Sequence, residues 1–300
     1  MLGGFLPGVC FLLNPVPFAF YHKAMRFQPF VPHYSAHERS RFMQTQDRMA
    51  AGPLKTITEL IVIVEEIHSM NRRPFYRVYP GILHALTRLG IEKLDITKVK
   101  PPVNGLALEF PEDMPFCPVD QTIRNIVFVD LESKILVEWI TAEGKHGIAQ
   151  FPRTCTTITD WLPQQAEENR EMLKPIMQVV FGVCMIPQSD TSLIEPLVLN
   201  RDKAKFAETG DPKYIDRAKR NGVNGWELGR DIPTPEEMEA FREQSGEPGR
   251  KSPHWRIGHF RKLKPEDENA PPIITWVRET FVNKDLLKEV PHGYYGKESE

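Results

Sequence analysis

The sequence predicts an α+β fold: a helical N-terminal part, antiparallel sheet elements and a C-terminal β-hairpin. Three observations carry this. Apolar residues recur at helical spacing from Leu54 and again from Ile82. After Pro101-Pro102 the period shortens into β-branched runs bounded by Pro, Asp, Ser or Gly. Near the C-terminus two more short runs, around 254–263 and 273–278, flank a proline-rich loop.

The elements follow in chain order. Residues 1–53 read as an extended lead, punctuated by Pro29, Pro32 and Gly52-Pro53. Leu54, Ile57, Ile61, Val64 and His68 then form one helical face, with Glu65 and Glu66 expected on the other. The β-branched run Ile61–Val64 leaves a strand open as the alternative. A second helix covers 80–89, with Pro80 in its first turn and Gly90 at the position after its end. Leu106–Phe110, Asn125–Leu131 and Lys134–Ile140 read as strands, the last two joined by the tight connection Glu132-Ser133 into an antiparallel hairpin. Residues 156–165 and 168–186 read as helices, the second strongly apolar and interrupted by Pro175, where a kink is expected. These elements make an α+β core over 54–190. The polar run Ser189-Asp190-Thr191-Ser192 marks a boundary, and 191–300 forms a C-terminal region ending in a basic hairpin. Within it, helices are expected near 202–208 and 212–220. Asn221-Gly222 and Asn224-Gly225 read as turns, and Thr234 with Glu237 as a capping pair.

The chain of 300 residues carries 38 Lys plus Arg against 40 Asp plus Glu, a net charge of −2. That balance excludes a chain basic throughout and built to coat nucleic acid. The 41% hydrophobic content excludes an acidic disordered chain. Four cysteines at 10, 117, 155 and 184, with no close pair, point to reduced thiols, a cytoplasmic location and no cysteine-built zinc site. The first 21 residues are uncharged, but glycines and prolines interrupt them well short of a membrane span, so no membrane role is expected. Met25 reads as an alternative start, which leaves 1–24 as an added tail.

Charge is concentrated in one place. Between Arg250 and Lys264 stand six Lys or Arg and no acid, with Trp255 and Phe260 interleaved, while Glu266, Asp267 and Glu268 sit in the following loop. Strand alternation puts His254, Arg256 and Phe260 on one face and Trp255, Ile257, His259 and Arg261 on the other. The two histidines converge only across a bulge at Gly258, and a metal site would still need a third ligand from elsewhere. Cationic side chains beside aromatic faces suit phosphate or another anionic surface. A hairpin that packs Trp255 and Ile257 on the core, with its cations solvated, fits the same pattern. No nucleophile elbow, metalloprotease helix, phosphate loop or dinucleotide fingerprint is present, so no catalytic residue, metal or cofactor is assigned.

The run Ser252-Pro253-His254-Trp255-Arg256-Ile257-Gly258-His259-Phe260, followed by Ile274-Thr275-Trp276-Val277-Arg278 and Phe281-Val282-Asn283, resembles the C-terminal signature of the type V-A anti-CRISPR family and related phage and mobile-element proteins. Weaker echoes lie at Leu106–Asp113, Val127–Asp130, the apolar helix ending at Cys184, and Gly225-Trp226-Glu227-Leu228-Gly229. The resemblance implies a non-enzymatic adaptor that lowers expression of a CRISPR nuclease and so evades host defence. Its implied partners are a nascent polypeptide or the ribosome and its RNA. The binding residues this nominates are His254, Trp255, Arg256, His259, Phe260, Arg261, Trp276 and Arg278. A histidine-dependent RNA nuclease using His254, Arg256 and His259, and a purely structural interaction module, stand beside it as alternatives.

Overall fold

The computed structural model describes residues 25–41, 56–113, 115–119, 121–189, 191–197, 200–220, 224–234, 236–237, 254–256, 259–263, 270–277 and 280–282. The N-terminal tail expected at 1–24, the turn at Asn221-Gly222 and the acidic loop at 266–268 lie outside this range. Helix α1 spans Ile57–Met70 and opens on a full capping box, with Thr56 and Glu59 exchanging side-chain-to-backbone hydrogen bonds. Helix α2 spans Pro80–Arg88 and is followed by Gly90 in the left-handed region at φ 69°, as the sequence predicts. A short α3 (Ile158–Trp161) leads to the long α4 (Glu167–Ser189), which runs uninterrupted through Pro175; α5 (Asn200–Thr209) and α6 (Lys213–Arg220) follow.

A mixed seven-stranded sheet forms the centre. Its strands are β1 (Phe75–Val78), β2 (Leu106–Glu109), β3 (Ile123–Asp130), β4 (Lys134–Thr141), β5 (His146–Pro152), β6 (Ile194–Pro196) and β7 (Gly225–Leu228), in the order β5-β4-β3-β2-β1-β7-β6. β1 runs parallel to both neighbours, β2 and β7, and every other pair is antiparallel. The β3–β4 hairpin turns at Glu132, held at φ 60°. Two strands from beyond residue 190 are thus built into the sheet, β7 beside β1 and β6 outside it.

Gly225 shows a departure from expectation. It opens β7 instead of closing a turn, and a side chain there would collide with the Phe75 ring, whose nearest atom lies 2.4 Å from the position of an added Cβ. The glycine is required by close approach across the β1–β7 pair and not by a reversal of the chain.

The sheet is covered on both faces. α4 and α2 bury one apolar face, where Ile82, Leu86, Ile176, Val180 and Phe181 meet Leu108, Phe128 and Phe151. α1 covers the other, where Leu60, Ile63 and Val64 meet Ala107, Val127, Val129 and Leu136. Here too the sequence expectation needs correction. Ile57 is 64% exposed, whereas Glu65, expected on the polar side, is fully buried. Residues 25–39 lie along α1 and the sheet, which gives α1 a second buried face. Among the described residues no helix is long and apolar enough to cross a membrane. Cys117, Cys155 and Cys184 are free thiols.

Candidate functional site

The C-terminal hairpin is built as two consecutive ladders. β9 (His259–Leu263) pairs antiparallel with β10 (Ile273–Val277), and β8 (His254–Arg256) pairs antiparallel with β11 (Thr280–Val282). His259 faces Val277 and Arg256 faces Thr280, so two residues separate the ladders on each strand. Between the ladders lie Ile257-Gly258 and Arg278-Glu279, so the bulge considered at Gly258 falls outside the described residues. Among the described residues no group of three His, Cys, Asp or Glu is placed to hold a metal ion.

The nominated residues have different surroundings. His259 and Arg261 are exposed on one face of β9. Phe260, on the opposite face, is only 8% exposed. It faces Trp276 across the ladder, with ring centroids 5.1 Å apart in an edge-on arrangement, and together with Ile274 joins the core cluster containing α4. Its ring is a packing group here and offers no open face for a stacked base. Trp276 is half-buried. His254, Trp255 and Arg256 form β8, but their side chains, like Arg278 as a whole, lie outside the described part of the structure, as does Ile257. Lys262 donates from Nζ to the Gly90 carbonyl at 3.5 Å, tying the hairpin to the chain just beyond α2.

Trp276 also lines a cleft of about 160 Å³ together with Ser192, Leu193, Glu195, Arg230 and Asp231. Its charges form a network. The Arg230 guanidinium donates to Glu227 Oε2 at 3.2 Å and lies 3.8 Å from Glu195 Oε2, and the Tyr79 hydroxyl donates to Glu227 Oε1 at 3.1 Å. Burial first, and then Glu227, pushes the Tyr79 hydroxyl up to about 12, so it acts as a fixed donor. The cleft therefore joins the outer strand β6, the loop after β7 and the hairpin.

A second polar feature escaped the sequence reading. Across five adjacent strands Asn125, Glu109, Arg77, Glu227 and Glu195 stand opposite one another in register, a continuous polar row on the α1 side of the sheet. Arg77 Nε lies 3.4 Å from Glu109 Oε2. Further along, Glu138 is fully buried and its Oε1 lies 2.6 Å from His146 Nδ1, while the His146 ring sits 4.3 Å from that of His33. Burial and the nearby Glu65 carboxyl push Glu138 well above the ordinary carboxylate range, and burial pushes His146 down. Both groups thereby favour their neutral forms, which share the hydrogen bond between Glu138 Oε1 and His146 Nδ1. Glu65, also pushed up by burial, accepts from the backbone N–H groups of His33 and, at 3.1 Å, Tyr34. Arg39 flanks it at 3.6 Å.

A family model of anti-CRISPR type V subtype A2 proteins, AcrVA2-like, matches residues 56–284. The chain belongs to the AcrVA2-like anti-CRISPR family. No curated protein matches it. Among solved structures, the crystal structure of AcrVA2 aligns over 82% of this chain and 83% of that one, at 10% identity and a TM-score of 0.47. The matched range takes in α1, the whole seven-stranded sheet, the cleft and both hairpin ladders. The basic hairpin, the cleft and the polar row are thus parts of the AcrVA2-like region, whereas residues 25–41 lie outside it. Membership makes this an anti-CRISPR protein and implies a CRISPR-related partner.

Proposed function

We propose that this AcrVA2-like protein lowers the expression of a CRISPR nuclease as an adaptor in the cytoplasm, gripping the nuclease's nascent polypeptide while its hairpin contacts the ribosome or its RNA. The observation that carries the proposal is the division of roles across β9. Phe260 and Ile274 anchor the hairpin on α4, which leaves His259 and Arg261 outward, while Trp276 on the anchored side lines a polar cleft. A hairpin anchored by one face can present the other to a partner at no cost to its own packing. Arg261 suits phosphate or carboxylate, since guanidinium binds both through paired donors. The cleft places acceptors at Glu195 and Asp231 around Arg230, a mixed-charge lining that suits a polypeptide better than a bare phosphate chain.

The test is capture from cells translating a type V nuclease. Tagged protein should recover ribosomes carrying that nascent chain, with recovery reduced several-fold by Arg261→Ala. Absence of both ribosomes and nuclease chains from the captured material refutes the reading. Salt dependence then separates the two contact modes. RNA contact gives a log–log slope of about −0.7 per neutralised phosphate on single strands, and polypeptide contact a shallow one.

A further inference from the structure

Residues 25–34 lie across the α1 side of the sheet as an extended strap, and buried side chains of the sheet and α1 hold its main chain. The Asn125 amide donates to the Gln28 carbonyl at 2.9 Å. The His33 and Tyr34 N–H groups donate to the Glu65 carboxylate. Backbone adds to this: the Glu112 N–H donates to the Arg26 carbonyl at 2.8 Å, and Phe27 bridges antiparallel to Pro111. Two aromatic side chains are seated as well. Phe27 packs edge-on to Tyr79 at 5.2 Å with the Arg77 guanidinium 5.3 Å from its ring centre, and Phe30 packs edge-on to His68 at 5.2 Å. Main-chain capture combined with separate seats for individual side chains is how proteins recognise extended peptides.

Two further observations set this contact apart from an ordinary piece of core. The strap lies outside the range that the family model matches, while Asn125, Glu109, Arg77, Tyr79 and Glu65 lie inside it. The fit is also incomplete. Asn125 and Glu138 are fully buried, yet Asn125 Oδ1 and Glu138 Oε2 find no hydrogen-bond partner among the described residues, and neither does Gln28 Oε1 on the strap. Buried polar atoms without partners carry a free-energy cost that a better-matched occupant would relieve.

We infer that this face is a binding groove for an extended polypeptide carrying two aromatic side chains three residues apart, and that residues 25–34 are its internal occupant. The inference rests on the reading that the protein works by binding polypeptide, and it adds a second surface, on the far side of the sheet from the α4-anchored hairpin. The strap competes with any such segment, so the apparent affinity of the groove falls by the fraction of molecules in which the strap is seated.

The experiment uses the full-length chain and, as probe, a fluorescent synthetic peptide with the sequence of residues 25–41. Phe27→Ala/Phe30→Ala in the protein unseats the strap and leaves the groove intact. This variant should bind the probe roughly tenfold or more tightly than the wild type. An unlabelled peptide in which both phenylalanines are replaced by alanine should fail to compete. Equal binding to wild type and variant overturns the inference, as does effective competition by the alanine peptide. Loss of the variant's cooperative thermal transition also overturns it, because the strap is then an integral part of the core. Since the probe is the protein's own segment, failure here leaves the capture of a nuclease chain standing, and failure of that capture leaves the groove standing.

Discussion

Towards α4 the sheet turns Leu106, Leu108, Ile126, Phe128, Val137 and Phe151, every one fully buried. Towards α1 and the strap it turns Ala107, Val127, Val129 and Leu136, and among them Arg77, Glu109, Asn125 and Glu138. The two faces of one sheet therefore do different things. The apolar face gains stability from area removed from water, and any well-shaped apolar side chain serves there. On the mixed face each buried polar group costs free energy unless it is partnered, so this face discriminates between what covers it and what does not. Burial alone does not separate the two; the chemistry of the buried atoms does.

Substitutions can widen or close that contrast. On the apolar face, Phe181→Ala removes a ring packed edge-on against Phe151 at 5.1 Å, and should cost about 3–5 kcal/mol in urea unfolding. A cost near 1 kcal/mol would mean that this face is less tightly packed than its burial indicates. On the mixed face the effect should depend on pH. His68 donates from Nε2 to the Pro74 carbonyl at 3.0 Å, and burial pushes its imidazole down to about 4. The fold thus holds it neutral. Its stabilising contribution is complete above the unfolded value of about 6.5 and is lost as pH falls towards 4, which amounts to about 3 kcal/mol. His68→Gln should flatten the fall in stability over that window; an unchanged slope would contradict a buried neutral imidazole. Glu138 has the opposite sign. A carboxyl pushed up by burial favours folding below the ordinary carboxylate range and loses that contribution as pH rises through its folded value. Glu138→Gln should therefore gain on the wild type between pH 5 and pH 8, as read by urea unfolding at the two ends.

Smaller effects are expected away from both faces. Thr56→Ala removes the cap of α1 and should cost about 1 kcal/mol. Arg261→Ala, on the exposed face of β9, should leave stability within about 0.5 kcal/mol while weakening capture of the partner. A larger loss of stability would make the hairpin a structural brace and remove the reason for calling it an interface.

The sequence made some elements readable and hid others for physical reasons. α1, α2, the β3–β4 hairpin and the C-terminal hairpin follow from local signals: periodicity, caps, and turn residues between β-branched runs. β1 could not be found that way. Phe75-Tyr76-Arg77-Val78 is short and carries an arginine in the sheet interior, and that arginine is matched by Glu109 and Glu227, 32 and 150 residues away in the chain. β7 was hidden by glycines that read as turns. Glu65 was misplaced because a helix between a sheet and a strap has no polar side where it is covered. The basic residues of the hairpin were legible from composition. Which face of the hairpin meets α4 was not, since alternation fixes two faces but not which one is buried. The cleft and the polar row escaped because each gathers its residues from several elements far apart in sequence.

The position of β7 has a consequence for how the chain is made. β1 lies between β2 and β7, and its β7 partner is Gly225–Leu228, far along the chain from β1. Until that segment leaves the ribosome, β1 is an unpaired parallel edge next to the most apolar part of the sheet. The first two hundred residues cannot complete their own sheet, and folding must close a loop of 150 residues to do so. Chains stopped before residue 225 carry an open edge that invites pairing with other chains.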